Sequence, residues 1–371
     1  MSLSRRKFLA IIGGGTVFAA SAGATTFVNT RTPTKALAPW DQAGQYDDHR
    51  LRALSYALLA PNPHNRQPWE VELVGDDGVT IWRDKARDLP VTDPFGRQLT
   101  IGMGCFIELM EMAAAREGFG VEKTLFPDGE DGPVAICRFV PDAVTPDPLF
   151  GHVFERRSHK EAFEDRQIEA SKLAKLADFA DVYAEGENRD ALRQIAADAW
   201  MVEMRDEAAY LESVDLFRIG KREINASPDG IDLGGAFMET LYMTGLFNHE
   251  IARNVSDPNV VAVAEADRDT MLNVPAMVML KTPANTRVDQ LNAGRDWLRY
   301  NLAATSHGLA TRPVSQALQE YEAVRPLHEA IHARFAPDGE TVQMLGLLGY
   351  GTQTPRTPRW PLETRLRDGQ A

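Results

Sequence analysis

The chain has 371 residues, 44% of them hydrophobic and 25% charged, ordinary values for a globular protein of one large or two smaller domains. Its formal charge of −13 excludes a nucleic-acid binder, which needs a basic face for phosphates. Two cysteines, Cys105 and Cys137, are too few for a disulfide scaffold, and their apolar neighbours predict buried free thiols.

Arg5, Arg6 and Lys7 stand before the apolar run "FLAIIGGGTVFAA" and the small-residue stretch "SAGA". A basic start, an apolar run short for a membrane span and a small-residue cleavage site compose an export signal. The paired arginines resemble the twin-arginine signal; a Sec signal or a retained membrane anchor are the alternatives. Residues 1–24 are assigned to this signal peptide, and its removal takes the charge from −13 to −16. The expected partner is the twin-arginine export machinery and the expected location periplasmic or otherwise extracytoplasmic. That route carries folded proteins, often with a cofactor already bound. No other segment is long and apolar enough to span a membrane.

Residues 25–46 read as an irregular lead-in, and the spacing of Leu51, Leu54 and Leu58 predicts a helix over 47–59. The polar, proline-rich stretch "APNPHNRQPW" follows at residues 60–69, either a stiff loop that stops the helix or a preformed wall for a flat polar ligand. "EVELV" and "VTIWRD" predict a hairpin turning at "GDDG". An apolar helix, "GMGCFIELMEMAAAREG", and a strand, "PVAICRFV", then close a first half, 47–150.

The second half, 151–371, carries a counterpart to that helix. An offset of 190 pairs Gly104 with Gly294, Ala113 with Ala303 and Gly118 with Gly308, and the strand "PAMVMLKT" precedes the second copy. In each half an alanine-rich helix ends at a glycine. The expected architecture is two related α+β halves packed as a pseudo-dimer. Residues 205–260 read least clearly and are a candidate lid.

Three motifs could carry chemistry. "ERRSHKEAF" offers Arg156, Arg157, Ser158 and Lys160 as a phosphate clamp, or simply as a solvated helix start. Arg356 and Arg359 lie on the proline-stiffened tail "LLGYGTQTPRTPRWPLE". His328, Glu329 and His332 form an H-E-x-x-H pattern able to grip zinc on a helix, which makes a zinc peptidase one alternative function. No third zinc ligand is apparent, and Leu327, Ile331 and Phe335 fit a plain amphipathic helix. No G-x-S-x-G element or dinucleotide fingerprint occurs.

Together these stretches resemble the FMN-dependent nitroreductase family. Ala60, Pro61, Asn65, Gln67, Pro68 and Trp69 match its A-P-S-x-x-N-x-Q-P-W segment, and Arg156, Ser158 and Lys160 its R-x-S-x-K element. Gly349, Tyr350, Pro358, Arg359, Pro361 and Leu362 match its closing pattern. Asn62 replaces the family's serine, and Trp360 stands where a second basic residue is common.

The resemblance implies an α+β nitroreductase-like fold and bound FMN. It assigns Arg156, Arg157, Ser158, Lys160, Arg356 and Arg359 to the phosphate and ribityl chain, and Pro61, Asn62, His64 and Asn65 to the ring. It also implies transfer from an unknown electron donor, through flavin N5, to a small-molecule acceptor of nitroaromatic or quinone type. No catalytic side chain and no metal ligand is assigned. Family members dimerise around the flavin, whereas this chain carries both sets of motifs and is expected to be a monomer that mimics a dimer. Its element order resembles a tandem subgroup in which some members hold flavin under a lid and turn over poorly, so a catalytically weak flavin-sequestering protein is the first alternative and the zinc peptidase the second.

Overall fold

The computed structural model describes residues 30–142 and 144–367, so the expected signal peptide lies outside the described residues. Helices α1 (Thr34–Gln42) and α2 (His49–Ala57) lead to the hairpin β1 (Trp69–Val74) and β2 (Gly78–Arg83). Helix α3 (Arg97–Arg116), β3 (Phe119–Leu125) and β4 (Ala135–Pro141) complete the first sheet. Then come α4 (Ala170–Leu176), β5 (Asp181–Tyr183) and α5 (Gly186–Glu203). A mostly helical stretch follows: α6 (Glu207–Asp215), β6 (Phe217–Ile219), α7 (Gly220–Ala226), β7 (Ile231–Leu233), α8 (Gly235–Met243), α9 (His249–Ala252) and α10 (Pro258–Asn273). The chain finishes with β8 (Ala276–Thr282), α11 (Arg287–Ser306), β9 (Ala310–Pro313), α12 (Arg325–Phe335) and β10 (Thr341–Gly349).

The fold is α+β. The first sheet runs β1-β2-β4-β3 and the second β5-β8-β10-β9, and every pairing in both is antiparallel. In each, the strand before the long helix lies second, the strand after it lies at the far edge, and the last strand fits between. The long helices, 20 residues each, begin and end 190 residues apart. Both are buried along most of their length, the first mainly through apolar residues and the second with Gln290 and Asn301 among its buried side chains.

These two helices cross at the expected glycines. A Cβ on Gly104 would sit 2.1 Å from the Leu291 carbonyl oxygen, and one on Gly294 would sit 2.0 Å from that of Ile101. The contact is reciprocal: Leu291 stands 190 residues after Ile101, as Gly294 does after Gly104. Only glycine admits this approach at both positions. The Cys105 thiol donates to the Gly294 carbonyl across the crossing, 3.0 Å away, and both cysteines are free and buried, with thiols pushed up to about 12 by desolvation.

The lead-in expected to be irregular contains α1, because tertiary packing outweighs its proline. Trp40 is buried and its indole donates to the Thr357 carbonyl, which holds the helix despite Pro39 inside it. The tail also travels further than its assignment to the second half implies. Arg367 N–H donates to the Val71 carbonyl and Leu366 bridges Val71 in parallel, so the tail extends the first sheet along β1. The segment expected as a lid is tied to the first half. Glu212 accepts from the N–H groups of Val91 and Thr92, each at 2.8 Å, and Asp229 pairs with Arg66 at 2.8 Å and Arg87 at 3.0 Å.

Replacing Gly104 or Gly294 by alanine drives a methyl group into a helix backbone that cannot yield. Each variant is expected to lose about 3 kcal/mol of stability, measured as a drop in denaturation midpoint.

Candidate functional site

Helix α2 ends in the stretch 60–69, and its local geometry is unusual. His64, Asn65 and Gln67 all take positive φ, at 46°, 51° and 51°. Side chains seldom adopt that region, and it persists only where surrounding contacts enforce it. The contacts come from two distant segments. The Asn65 carboxamide donates to the carbonyls of Pro228 and Pro358, each at 3.1 Å, and accepts from Arg359 at 2.7 Å. Gln67 donates to the Pro228 carbonyl at 2.8 Å and accepts from the Trp360 N–H at 2.8 Å, while its own N–H donates to Asn62 Oδ1 at 2.7 Å. Trp69 stacks on Phe106 of α3 in the core, with ring centroids 4.7 Å apart.

Beside this loop, at the junction of the two halves, lies a cavity of about 330 Å³. The first half contributes Pro61, Asn62 and His64, with Ile101 and Gly102 of α3; the second contributes Ser158, Lys160, Trp297 and the turn after β9. An added Cβ on Gly102 would meet Asn62 Cβ at 3.0 Å, so the loop lies directly on α3. Desolvation holds the His64 imidazole down at about 4, so it is neutral at pH 7. A second cavity of about 280 Å³ has its charges paired, Lys85 with Asp131, Arg287 with Glu130 and Arg367 with Glu70.

The first cavity also has its lining cations paired, Arg312 with Asp267 at 2.8 Å and Lys160 with Asp232. The guanidinium groups without a carboxylate partner, Arg156 and Arg359, lie outside its lining, Arg156 close to the lining residue Cys105. Arg156 is 4% exposed; its Nη2 donates to the Leu59 carbonyl at 3.2 Å and its Nη1 is buried without a partner. Arg359, 2% exposed, donates to the carbonyls of Leu58, Leu59 and Ala60. Both arginines thus cap the carbonyl end of α2, where a helix favours cations. Burial, then repulsion from neighbouring arginines, pushes Arg156 and Arg157 down to about 10 and Arg359 to about 9. Lys160 is paired with Asp232 at 2.6 Å.

Of the sequence-predicted residues, the structure brings Pro61, Asn62, His64, Ser158 and Lys160 to the cavity wall; Arg156 is not part of the lining and lies close to Cys105, which is. The others are placed differently from the expectation. Asn65 spends its carboxamide on fastening the loop, and Arg359 is committed to the helix end. Arg157 donates to the carbonyls of Phe154 and Arg156 and lies over the Trp40 ring, 4.8 Å from its centroid. Arg356 pairs with Asp41 at 2.8 Å.

In the H-E-x-x-H pattern both ring nitrogens of His332 are engaged. Its Nδ1 faces the His328 carbonyl at 2.8 Å and its Nε2 accepts from the Val342 N–H at 3.1 Å, so neither nitrogen is left for a metal. No cluster of three His, Cys, Asp or Glu suited to a metal occurs among the described residues.

Sequence reasoning missed the polar wall after β9. Gln316 and Gln319 line the cavity, and Gln319 Nε2 donates to Glu203 at 2.9 Å. Isolated glutamines carry no spacing signal that would have singled them out.

Two sheets built alike around crossing central helices, with a cavity at their junction, define an α+β protein of two similar halves. No family model matches the chain. Among curated relatives, "Putative NAD(P)H nitroreductase acg" of Mycobacterium tuberculosis is 27% identical over 335 residues, covering 84% of this chain and 93% of its own. "Putative NAD(P)H nitroreductase Rv3131" of the same organism is 24% identical over 339 residues, covering 84% and 91%. A solved structure described as a "putative nitroreductase" of Anabaena variabilis is 11% identical, covers 91% of this chain and 93% of that one, and gives a TM-score of 0.40. The FMN-dependent nitroreductase NfnB of Mycobacterium smegmatis is 19% identical, covers 60% of this chain and 98% of that one, and gives 0.38. The chain is thus similar along most of its length to proteins named as nitroreductases.

Burial raises the Glu203 carboxyl from the usual 4.5 to about 7. The folded state therefore holds a proton that the unfolded chain releases, and stability falls as pH rises from about 4.5 through about 7. The loss is on the order of 3 kcal/mol. Glu203→Gln is expected to flatten that part of the stability-versus-pH curve, checked by denaturant titration from pH 5 to pH 8.

Proposed function

We propose that this protein is an FMN-dependent oxidoreductase of nitroreductase type in which one chain supplies both walls of the flavin pocket. The observation that carries the reading is the Arg156 guanidinium, buried with an unpartnered N–H and no carboxylate, close to Cys105 in the wall of a cavity that both halves line. A buried cation without a partner is costly, and a phosphate would relieve it. Arg156, Ser158 and Lys160 would hold the phosphate and ribityl chain, with Lys160 exchanging Asp232 for the ligand. Pro61, Asn62 and His64 would lie along the ring.

FMN, when bound, supplies two-electron transfer at N5. The chain's own part is to orient and to exclude water. The bonds of Asn65 and Gln67 to two distant segments keep the 61–64 wall rigid, and Ile101 and Trp297 keep the cleft apolar. His64 remains uncharged and adds no repulsion to an electron-poor acceptor of nitroaromatic or quinone type. The equal sheets, and the helices crossing at positions 190 residues apart, support a chain that serves as its own partner. One observation favours slow turnover or sequestration: Ile231 lines the cavity, and the loop before it is fastened through the Pro228 carbonyl.

The purified protein is expected to be yellow. Arg156→Ala should weaken flavin retention at least tenfold, whereas His332→Ala should keep it, read from the visible spectrum after gel filtration. A colourless wild-type protein that takes up no FMN would remove the reading. Bleaching of the bound flavin by NADPH without oxygen separates turnover from storage. The proposed export rests on the arginine pair near the start: Arg5→Lys with Arg6→Lys should leave the protein in the cytoplasm, scored by cell fractionation.

A further inference from the structure

Helix α8 has its polarity reversed. Its only buried residue is an acid, Glu239, while its apolar side chains face outward. Tyr242 is 44% exposed, Met243 67% and, just beyond the helix, Leu246 59%. Phe237, Met238, Leu241 and Phe247 are half-buried around them. A helix at a protein–water surface does the opposite, burying its apolar stripe and showing its charges. From Thr240 to Phe247 no side chain is charged, so nothing at this end of α8 favours water.

The place where the chain enters the fold indicates what this face meets. The Thr30 carbonyl accepts from Lys221 Nζ at 2.9 Å, and Arg31 pairs with Glu239 of α8 at 2.9 Å. The apolar run of residues 8–20 ends ten positions before Thr30, a reach of about 35 Å at most. The entry of the chain is thus fastened to the polar side of the very helix whose other side is apolar. A lipid surface that receives the run lies within reach of α8 as well.

We propose that the α8 face docks on a lipid bilayer, with Tyr242, Met243 and Leu246 entering the interface. At nine residues the helix lies on the membrane and cannot span it. An aromatic ring with a polar tip, flanked by flexible apolar side chains, suits the boundary between headgroups and acyl chains. The face belongs to the folded body, so it persists whether or not the run at 8–20 is removed. A second copy of the chain is a poorer occupant, because two bodies of formal charge −13 repel each other and an uncharged lipid surface does not repel either. Docking also bears on the cavity. Ile231, four residues before α8, lines it, and Asp232 pairs with its Lys160. Ring molecules dissolved in the bilayer are thus delivered beside the cavity. The inference does not rest on a flavin there.

The test uses vesicles of phosphatidylcholine and the purified full chain carrying Ile11→Asp and Ile12→Asp, which remove the apolar run's own affinity for lipid. This protein is expected to float with the vesicles. Adding Met243→Asp and Leu246→Asp should lower its partition coefficient at least fivefold, and both side chains are exposed, so the fold is kept. Tyr242→Trp in the same background should add fluorescence that bromine-labelled acyl chains quench. Failure of the Ile11→Asp, Ile12→Asp protein to float overturns the proposal, as does flotation unchanged by Met243→Asp with Leu246→Asp. Self-association that these two substitutions abolish, without flotation, overturns it in favour of a second copy.

Discussion

The close approach of two helix backbones at Gly104 and Gly294 is the constraint on which the rest of the structure depends. Each glycine meets the carbonyl of the residue 190 positions from the one its counterpart meets. The contact therefore has the self-complementary form of an interface between identical subunits, although one continuous chain makes it. The two sheets lie on either side of this crossing, and the cavity opens where α3 meets the strands of the second half. Widening the crossing by a single methyl would separate residues 61–64 from residues 158–160.

Around that scaffold the arginines divide their labour. Arg359 and Arg156 both end α2 by accepting the role that a glycine cap or water often fills, and Arg157 and Arg356 enclose Trp40. The result is a concentration of positive charge in a protein whose formal charge is −13. Helix capping explains the positions of these side chains. It does not neutralise Arg156 or Arg359, which have no carboxylate partner, whereas Arg356 is paired with Asp41.

Much of the fold was legible from the sequence. The 190-residue correspondence located the helix crossing, because glycine is required there and alanine-rich faces pack closely beside it. The β1–β2 hairpin and β4 announced themselves through apolar alternation and turn residues. β3, "FGVEKTL", did not, since an edge strand with exposed Glu122, Lys123 and Thr124 resembles a loop. Helix α1 was hidden by Pro33 and Pro39 and is held by Trp40. The site was half legible: motif spacing found Ser158, Lys160 and the 60–69 loop. It could not show that Asn65, Gln67 and Arg359 act on one another, nor that Gln316 and Gln319 reach the same cavity, because those contacts join residues distant in sequence.

The fastening of residues 58–71 by residues 358–367 has a further consequence in time. A ribosome makes the loop early and its fasteners some three hundred residues later, so the positive-φ backbone at His64 and Asn65 cannot be enforced during most of synthesis. Until the tail arrives, helix α2 lacks its Arg359 cap and β1 presents an open edge. Completion of the pocket wall is thus a late event in the life of each molecule. Any ligand held against that wall is acquired by a finished chain rather than by a growing one.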